Sequence, residues 1–296
     1  MQIRTLPRIL AVLGLWNSVY ALVAGQEISS YGLGVIQTGT QIDAAAPAVD
    51  VAPFVFQAFI NSGSVDATTA TVQAPGGTVY NLGNDAEYNF GTSYRSAGFA
   101  SLAALDMVFA NTGTYTLYFN TPATEPNGVA VNTLQFGSPD FPMDIPRVTG
   151  GGTWADGAFH FDVLQEDGQI SFTPFSNMVT DQDLIIFDIY SEVPGDFRAS
   201  RTVTQSSSSS FGISGPSQND GTPYFIPGDS YTALITFIKV VDADHGASLA
   251  GTDGIAFYAT QTKFNFVAVP EPSTYGLLAL GLGVILLPAL RRRLRR

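Results

Sequence analysis

Gly113-Thr114-Tyr115-Thr116-Leu117-Tyr118-Phe119 alternates apolar and polar side chains with a period of two. As a strand it puts Tyr115, Leu117 and Phe119 on one face, because successive residues of a strand point to opposite sides. Aromatic and β-branched residues suit such a pleated, half-buried surface. Similar runs recur from residue 28 to residue 267, separated by Gly, Pro, Asn and Asp. Residues 78–82 follow the turn signal Ala74-Pro75-Gly76-Gly77, and Phe159, Phe161 and Val163 alternate in the same way. Residues 184–190, 231–241 and 255–266 are apolar on both faces, as central strands are. One segment, residues 101–107, reads as a short helix preceding a strand. The expected class is all-β.

An internal echo suggests duplication. Gly113-Thr114-Tyr115-Thr116 and Gly228-Asp229-Ser230-Tyr231-Thr232 each set Gly shortly before Tyr-Thr at the start of an apolar strand, about one domain length apart. In sandwich folds a tyrosine at this place ties down the preceding corner through its hydroxyl. Between the two halves, Ser138-Pro139-Asp140-Phe141-Pro142-Met143-Asp144-Ile145-Pro146 is suited to a stiff connector. With a boundary near Arg147, residues 26–146 and 147–267 are expected to form two tandem antiparallel β-sandwiches, Ig- or jelly-roll-like. A single large jelly-roll-like domain is the alternative.

Composition narrows the partners. Hydrophobic residues make up 45% of the 296-residue chain and charged residues only 13%, enough apolar surface for a packed core. The formal charge of −12 conceals a segregation, since Arg4 and Arg8 lie near the start and five arginines close the chain. The body between, residues 26–269, holds 24 acidic against 6 basic groups, a net of −18. Such a surface repels phosphate backbones, which argues against nucleic acid as a partner. With no cysteine, disulfides, thiolate metal sites and cysteine nucleophiles are excluded.

The two ends carry addresses. Two arginines, an apolar run over residues 9–15 and small residues at Ala21, Ala24 and Gly25 read as a secretory signal peptide over residues 1–25, with the cut at one of those three. At the other end, Pro270-Glu271-Pro272 precedes an apolar stretch, residues 275–290, and then the arginine cluster. As a helix that stretch would rise about 24 Å, slightly short of a ~30 Å hydrocarbon core, and snorkelling flanks would complete the span. Arginines beyond it belong in the cytoplasm, leaving the body outside.

In order and placement, residues 269–296 resemble the PEP-CTERM sorting signal: a Pro-Glu-Pro motif, a short transmembrane helix and terminal arginines. The resemblance implies recognition at Pro270, Glu271 and Pro272 by the membrane enzyme exosortase, which removes the tail. It also implies Arg291, Arg292 and Arg293 as cytoplasmic retention charges. Pro288 departs from a plain helix and would kink its last turn. The family context implies a Gram-negative-type bacterium that makes extracellular polysaccharide, and it is silent on the body's activity.

Candidate chemistry in the body is sparse. Gly228-Asp229-Ser230 with Asp242-Ala243-Asp244-His245 resembles, in letters only, the nucleophile and Asp-x-x-His blocks of the GDSL hydrolases. Here 14 residues of apolar strand separate Ser230 from His245, a span of ~40 Å or more, too far for a hydrogen bond. His160 shares a strand face with Asp162 and reads as a surface histidine. With only His160 and His245, no multi-histidine metal site can form within one chain. Asp181/Asp183 and Asp242/Asp244 could offer carboxylates to calcium, but neither pair continues into a full binding loop, and turn roles are the simpler reading. The serine run at residues 206–210 reads as a loop, and Trp154, alone after signal removal, makes no multi-tryptophan sugar platform. No catalytic, metal or cofactor site is expected. The function expected is an exported, non-enzymatic surface or matrix protein associated with exopolysaccharide, with a carbohydrate-binding or adhesive module second and a secreted hydrolase third.

Overall fold

The computed structural model describes residues 30–61, 70–84, 92–110, 112–119, 130–162, 168–191, 197–204, 209–212, 225–244 and 253–269. The signal peptide, the Pro-Glu-Pro motif, residues 275–290, the terminal arginines, Val163, Ser206 to Ser208 and His245 lie outside them. Among the described residues no helix is long and apolar enough to cross a membrane.

The all-β expectation holds. The largest sheet takes the order β14 (Phe197–Val203), β13 (Leu184–Ser191), β16 (Ser230–Asp244), β17 (Asp253–Val269), β1 (Ser30–Gln41), β2 (Ala48–Asn61), β6 (Thr92–Arg95) and β5 (Gly83–Asn84). Beside it, β10 (Thr153–Ala155) pairs with β11 (Ala158–Asp162), which pairs with β17. A four-stranded sheet joins β4 (Val79–Asn81), β3 (Thr71–Gln73), β7 (Gly113–Phe119) and β8 (Ala130–Phe136). A three-stranded sheet joins β15 (Ser210–Gly212), β12 (Gln169–Phe172) and β9 (Val148–Gly150). The short helix is α1 (Leu102–Asp106), capped where Ser101 Oγ accepts from the Ala104 N–H at 3.1 Å.

The expected pair of tandem antiparallel sandwiches takes a different form. Each segment keeps a core of its own, but both cores lie against the one large sheet. On its front face, Tyr31, Leu33 and Phe56 pack under Val72, Leu117 and Leu134 of the four-stranded sheet. Further along the same face, Ile185, Phe187 and Phe264 pack under Ile170, Phe172 and Phe211 of the three-stranded sheet. The segments are joined by β17. Over residues 253–264 it pairs in parallel with β1, and over residues 265–269 it pairs in parallel with β11 on the same flank. Along its other flank runs β16, antiparallel from Ser230 to Asp244. A 17-residue strand is long enough to serve both segments at once.

The sheet curls around its back face. A small cavity of about 30 Å³ is lined by both Arg95 of β6 and Ile186 of β13. In a flat sheet five strand steps would part these by ~24 Å. Two glycines permit close packing on this face. A Cβ on Gly34 would stand 2.2 Å from the Phe257 ring, and one on Gly32 would stand 2.7 Å from the Phe59 ring. Both rings therefore lie over bare backbone of β1, shielding it as side chains at those positions otherwise would.

Candidate functional site

Where the two cores meet, the connector crosses the front face and is pinned there. Successive front-facing side chains of β17 donate to its carbonyls: Tyr258 Oη to Gly137 at 3.4 Å, Thr260 Oγ1 to Asp144 at 2.8 Å, and Thr262 Oγ1 to Pro146. Gln41, at the end of β1, closes both hydrogen bonds with the backbone of Val148, accepting at 2.9 Å and donating at 3.1 Å. The Pro-rich segment is therefore anchored along its length rather than spanning free between domains.

At this junction sits a buried ion pair. Lys239 Nζ lies 3.3 Å from Asp183 Oδ2 and 3.6 Å from Asp140 Oδ2, and donates to the Asn177 carbonyl at 3.1 Å. All three ammonium protons thus have an acceptor in reach. Asp183, fully buried, also accepts from the Val240 N–H at 3.1 Å and the Val179 N–H at 2.8 Å. Its carboxylate is committed to the fold. The sequence-proposed partner Asp181 is exposed, with φ of 63°, a turn conformation that Asp tolerates. The turn reading therefore fits Asp181, while Asp183 has a larger structural role than its sequence context suggests.

The remaining candidates separate as well. Ser230 is exposed at the first position of β16 and Asp244 is its last residue, so ~46 Å of strand divides them. Asp242 accepts from the Gln135 N–H at 2.6 Å, tying β8 to β16. His160 and Asp162 are half-buried on one face of β11, opposite Phe159 and Phe161. Trp154 packs against Phe159 and Phe264, with ring centroids 5.3 and 6.0 Å away. The echoed tyrosines do tie their corners. Tyr115 Oη donates to the Ala110 carbonyl at 2.8 Å, and Tyr231 Oη accepts from the Ile226 N–H at 2.8 Å, each reaching five residues back. Burial pushes the Tyr115 hydroxyl well above the usual tyrosine range; it raises Tyr258 to about 12, with the Asp106 charge adding to it.

Sequence reasoning missed the groove on the back face. It has a volume of about 410 Å³, within the range of ligand sites, and crosses β6, β2, β1, β17 and β16. Its hydrogen-bonding groups include Thr38, Asp50, Arg95, Gln261 and Lys263, with Val55 and Leu234 as apolar wall. Arg95 Nη1 donates to Gln57 Oε1 at 3.1 Å, and Asp50 Oδ1 accepts from the Thr40 hydroxyl at 3.0 Å. Gln261 Nε2 donates to Thr236 Oγ1 at 3.0 Å, which leaves its carbonyl oxygen available. Lys263 is exposed and makes no hydrogen bond or ion pair among the described residues. The only sequence signal was the scarcity of basic residues in the body, two of which converge here.

The fold is thus a β-rich body whose central strand, β17, leads directly into the C-terminal tail. The family model of the PEP-CTERM protein-sorting motif matches residues 268–296, so the tail carries this sorting signal. The signal implies an exported protein directed to exosortase. No curated protein matches the chain.

Proposed function

We propose that the body acts as a non-enzymatic surface or matrix protein, associated with extracellular polysaccharide after exosortase has removed its tail. The observation that carries this reading is the sorting motif at residues 268–296, which begins on the last two residues of β17. Supporting it, one member of each acidic pair singled out from the sequence serves the fold: Asp183 neutralises Lys239 and Asp242 holds β8.

The test is made in the host. With Pro270, Glu271 and Pro272 all replaced by alanine, the body should stay in the inner-membrane fraction and be lost from the surface. Normal release of that variant would refute the sorting assignment. A wild-type protein that reaches the surface yet never co-fractionates with polysaccharide would refute the matrix role. The groove favours a second reading, a carbohydrate-binding module, because it presents mixed hydrogen-bonding groups on a rigid sheet.

A further inference from the structure

We propose that the back-face groove binds a carboxylate-bearing saccharide, with Lys263 as its principal cationic contact and Arg95 beside it. This rests on the carbohydrate-binding reading of the body and gives it a ligand class and a location.

Shape comes first. The groove crosses five strands of the curled sheet and has a volume of about 410 Å³, enough to take a short saccharide segment. It runs across the strands, so it offers no free sheet edge to which a peptide could add as a further strand. A shallow trough lined by hydroxyl, amide and charged groups matches a ligand rich in hydroxyls.

Charge supplies the second argument. In a body of net −18, the groove holds Lys263 and Arg95; one oxygen of its own carboxylate, Asp50, already accepts from Thr40, and Asp188 stands with Arg95 in the small cavity beside it. Lys239, by contrast, is neutralised within the fold by Asp183. Lys263 is left presenting its charge to solvent, as a contact for an anionic group would be. The planar guanidinium of Arg95 adds a geometry suited to carboxylate oxygens. The acidic remainder of the surface disfavours densely charged polymers, whereas a uronate chain carries at most one charge per sugar. At physiological ionic strength the Debye length is ~8 Å, so distant acidic groups are screened while groove contacts act at full strength.

The experiment is isothermal titration of the exported protein, purified from the host, with oligogalacturonate. Its methyl ester, a neutral glucan oligomer, poly-glutamate and polyphosphate serve as comparators. The free acid should bind at least ~10-fold more tightly than the ester, and Lys263→Gln should remove most of that difference, as loss of one charge-assisted contact does. Lys263→Arg should restore it, and Asp50→Asn should tighten binding of the acid. Lys263 is exposed, so an unchanged melting temperature for Lys263→Gln would show the fold intact. Neutral sugar binding that ignores Lys263 would overturn this proposal and leave the carbohydrate-binding reading standing. No saccharide binding at all would overturn both. Equal binding of poly-glutamate or polyphosphate would overturn saccharide selectivity and with it the proposal.

Discussion

Gly34→Ala tests whether the curl of the large sheet depends on bare backbone under an aromatic ring. The added Cβ would lie 2.2, 2.3 and 2.6 Å from three atoms of the Phe257 ring. Carbon atoms rest at ~3.5–4.0 Å, so the ring must retreat by more than an ångström. It is only 5% exposed and has little room to do so. Overpacking of this kind costs about 1–3 kcal/mol. Replacing Gly by Ala within a strand returns ~0.5–1 kcal/mol through backbone entropy. With contacts as short as 2.2 Å the overpacking cost falls at the upper end of that range, so the net loss is ~1–2.5 kcal/mol, which lowers the melting temperature by ~2–10 °C for a body of this size. Thermal unfolding followed by circular dichroism reads this directly. Phe257→Ala alone should cost ~3–5 kcal/mol, but in that background Gly34→Ala should become neutral or stabilising. Gly76→Ala, where an added Cβ meets nothing within 4 Å, is the control. An unchanged or raised melting temperature for Gly34→Ala, or the same cost in both backgrounds, would refute the packing argument.

Asp183→Asn should destabilise by ~3–5 kcal/mol in a denaturant melt, because it leaves Lys239 buried without its closest counter-charge; a loss under ~1 kcal/mol would show the pair is not buried as described. High pH should weaken the fold. Folding holds Tyr258 and Tyr115 neutral, so the unfolded chain loses those protons first, and stability present below pH ~10 declines as pH rises toward about 12. Tyrosinate absorbance should then rise together with loss of structure, and half-ionisation of every tyrosine at about pH 10 in a still-folded protein would contradict it. Scanning calorimetry should give one transition, since β16 and β17 run through both halves; two well-separated transitions would mean that residues 26–146 and 147–267 unfold independently.

Much of the strand inventory was legible because period-two alternation is local. β7, β11, β13, β16 and β17 fall where the runs of aromatic and β-branched residues lie. The short helix near residues 101–107 and the two corner tyrosines were legible for the same reason, since their contacts are local in sequence. What escaped was long-range. The sequence of β1 is interrupted by Gly32, Gly34 and Gly39 and looks like a poor strand. At Gly32 and Gly34 the interruption makes sense only once Phe59 of β2 and Phe257 of β17 arrive over them. Its parallel partner lies roughly 220 residues away, and nothing local encodes that choice. Lys239 was a lone charge in an apolar run, a hint of a buried partner, yet Asp183 and Asp140 could not be named without the fold. The groove was illegible for the same reason, since Arg95 and Lys263 share a trough only because β6 and β17 share a sheet.

The place of β17 in the sheet also sets a timetable. β1 emerges early from the ribosome, but the strand that completes its pairing comes roughly 220 residues later. At ~5–20 residues per second that is a wait of about 10–45 s. Until then β1 has only β2 beside it. A chain in this condition cannot close its main sheet until β17 is made. The strand that joins the two halves of the sheet is therefore also the one that leads into the sorting tail, so completion of the fold waits on the last part of the body to be made.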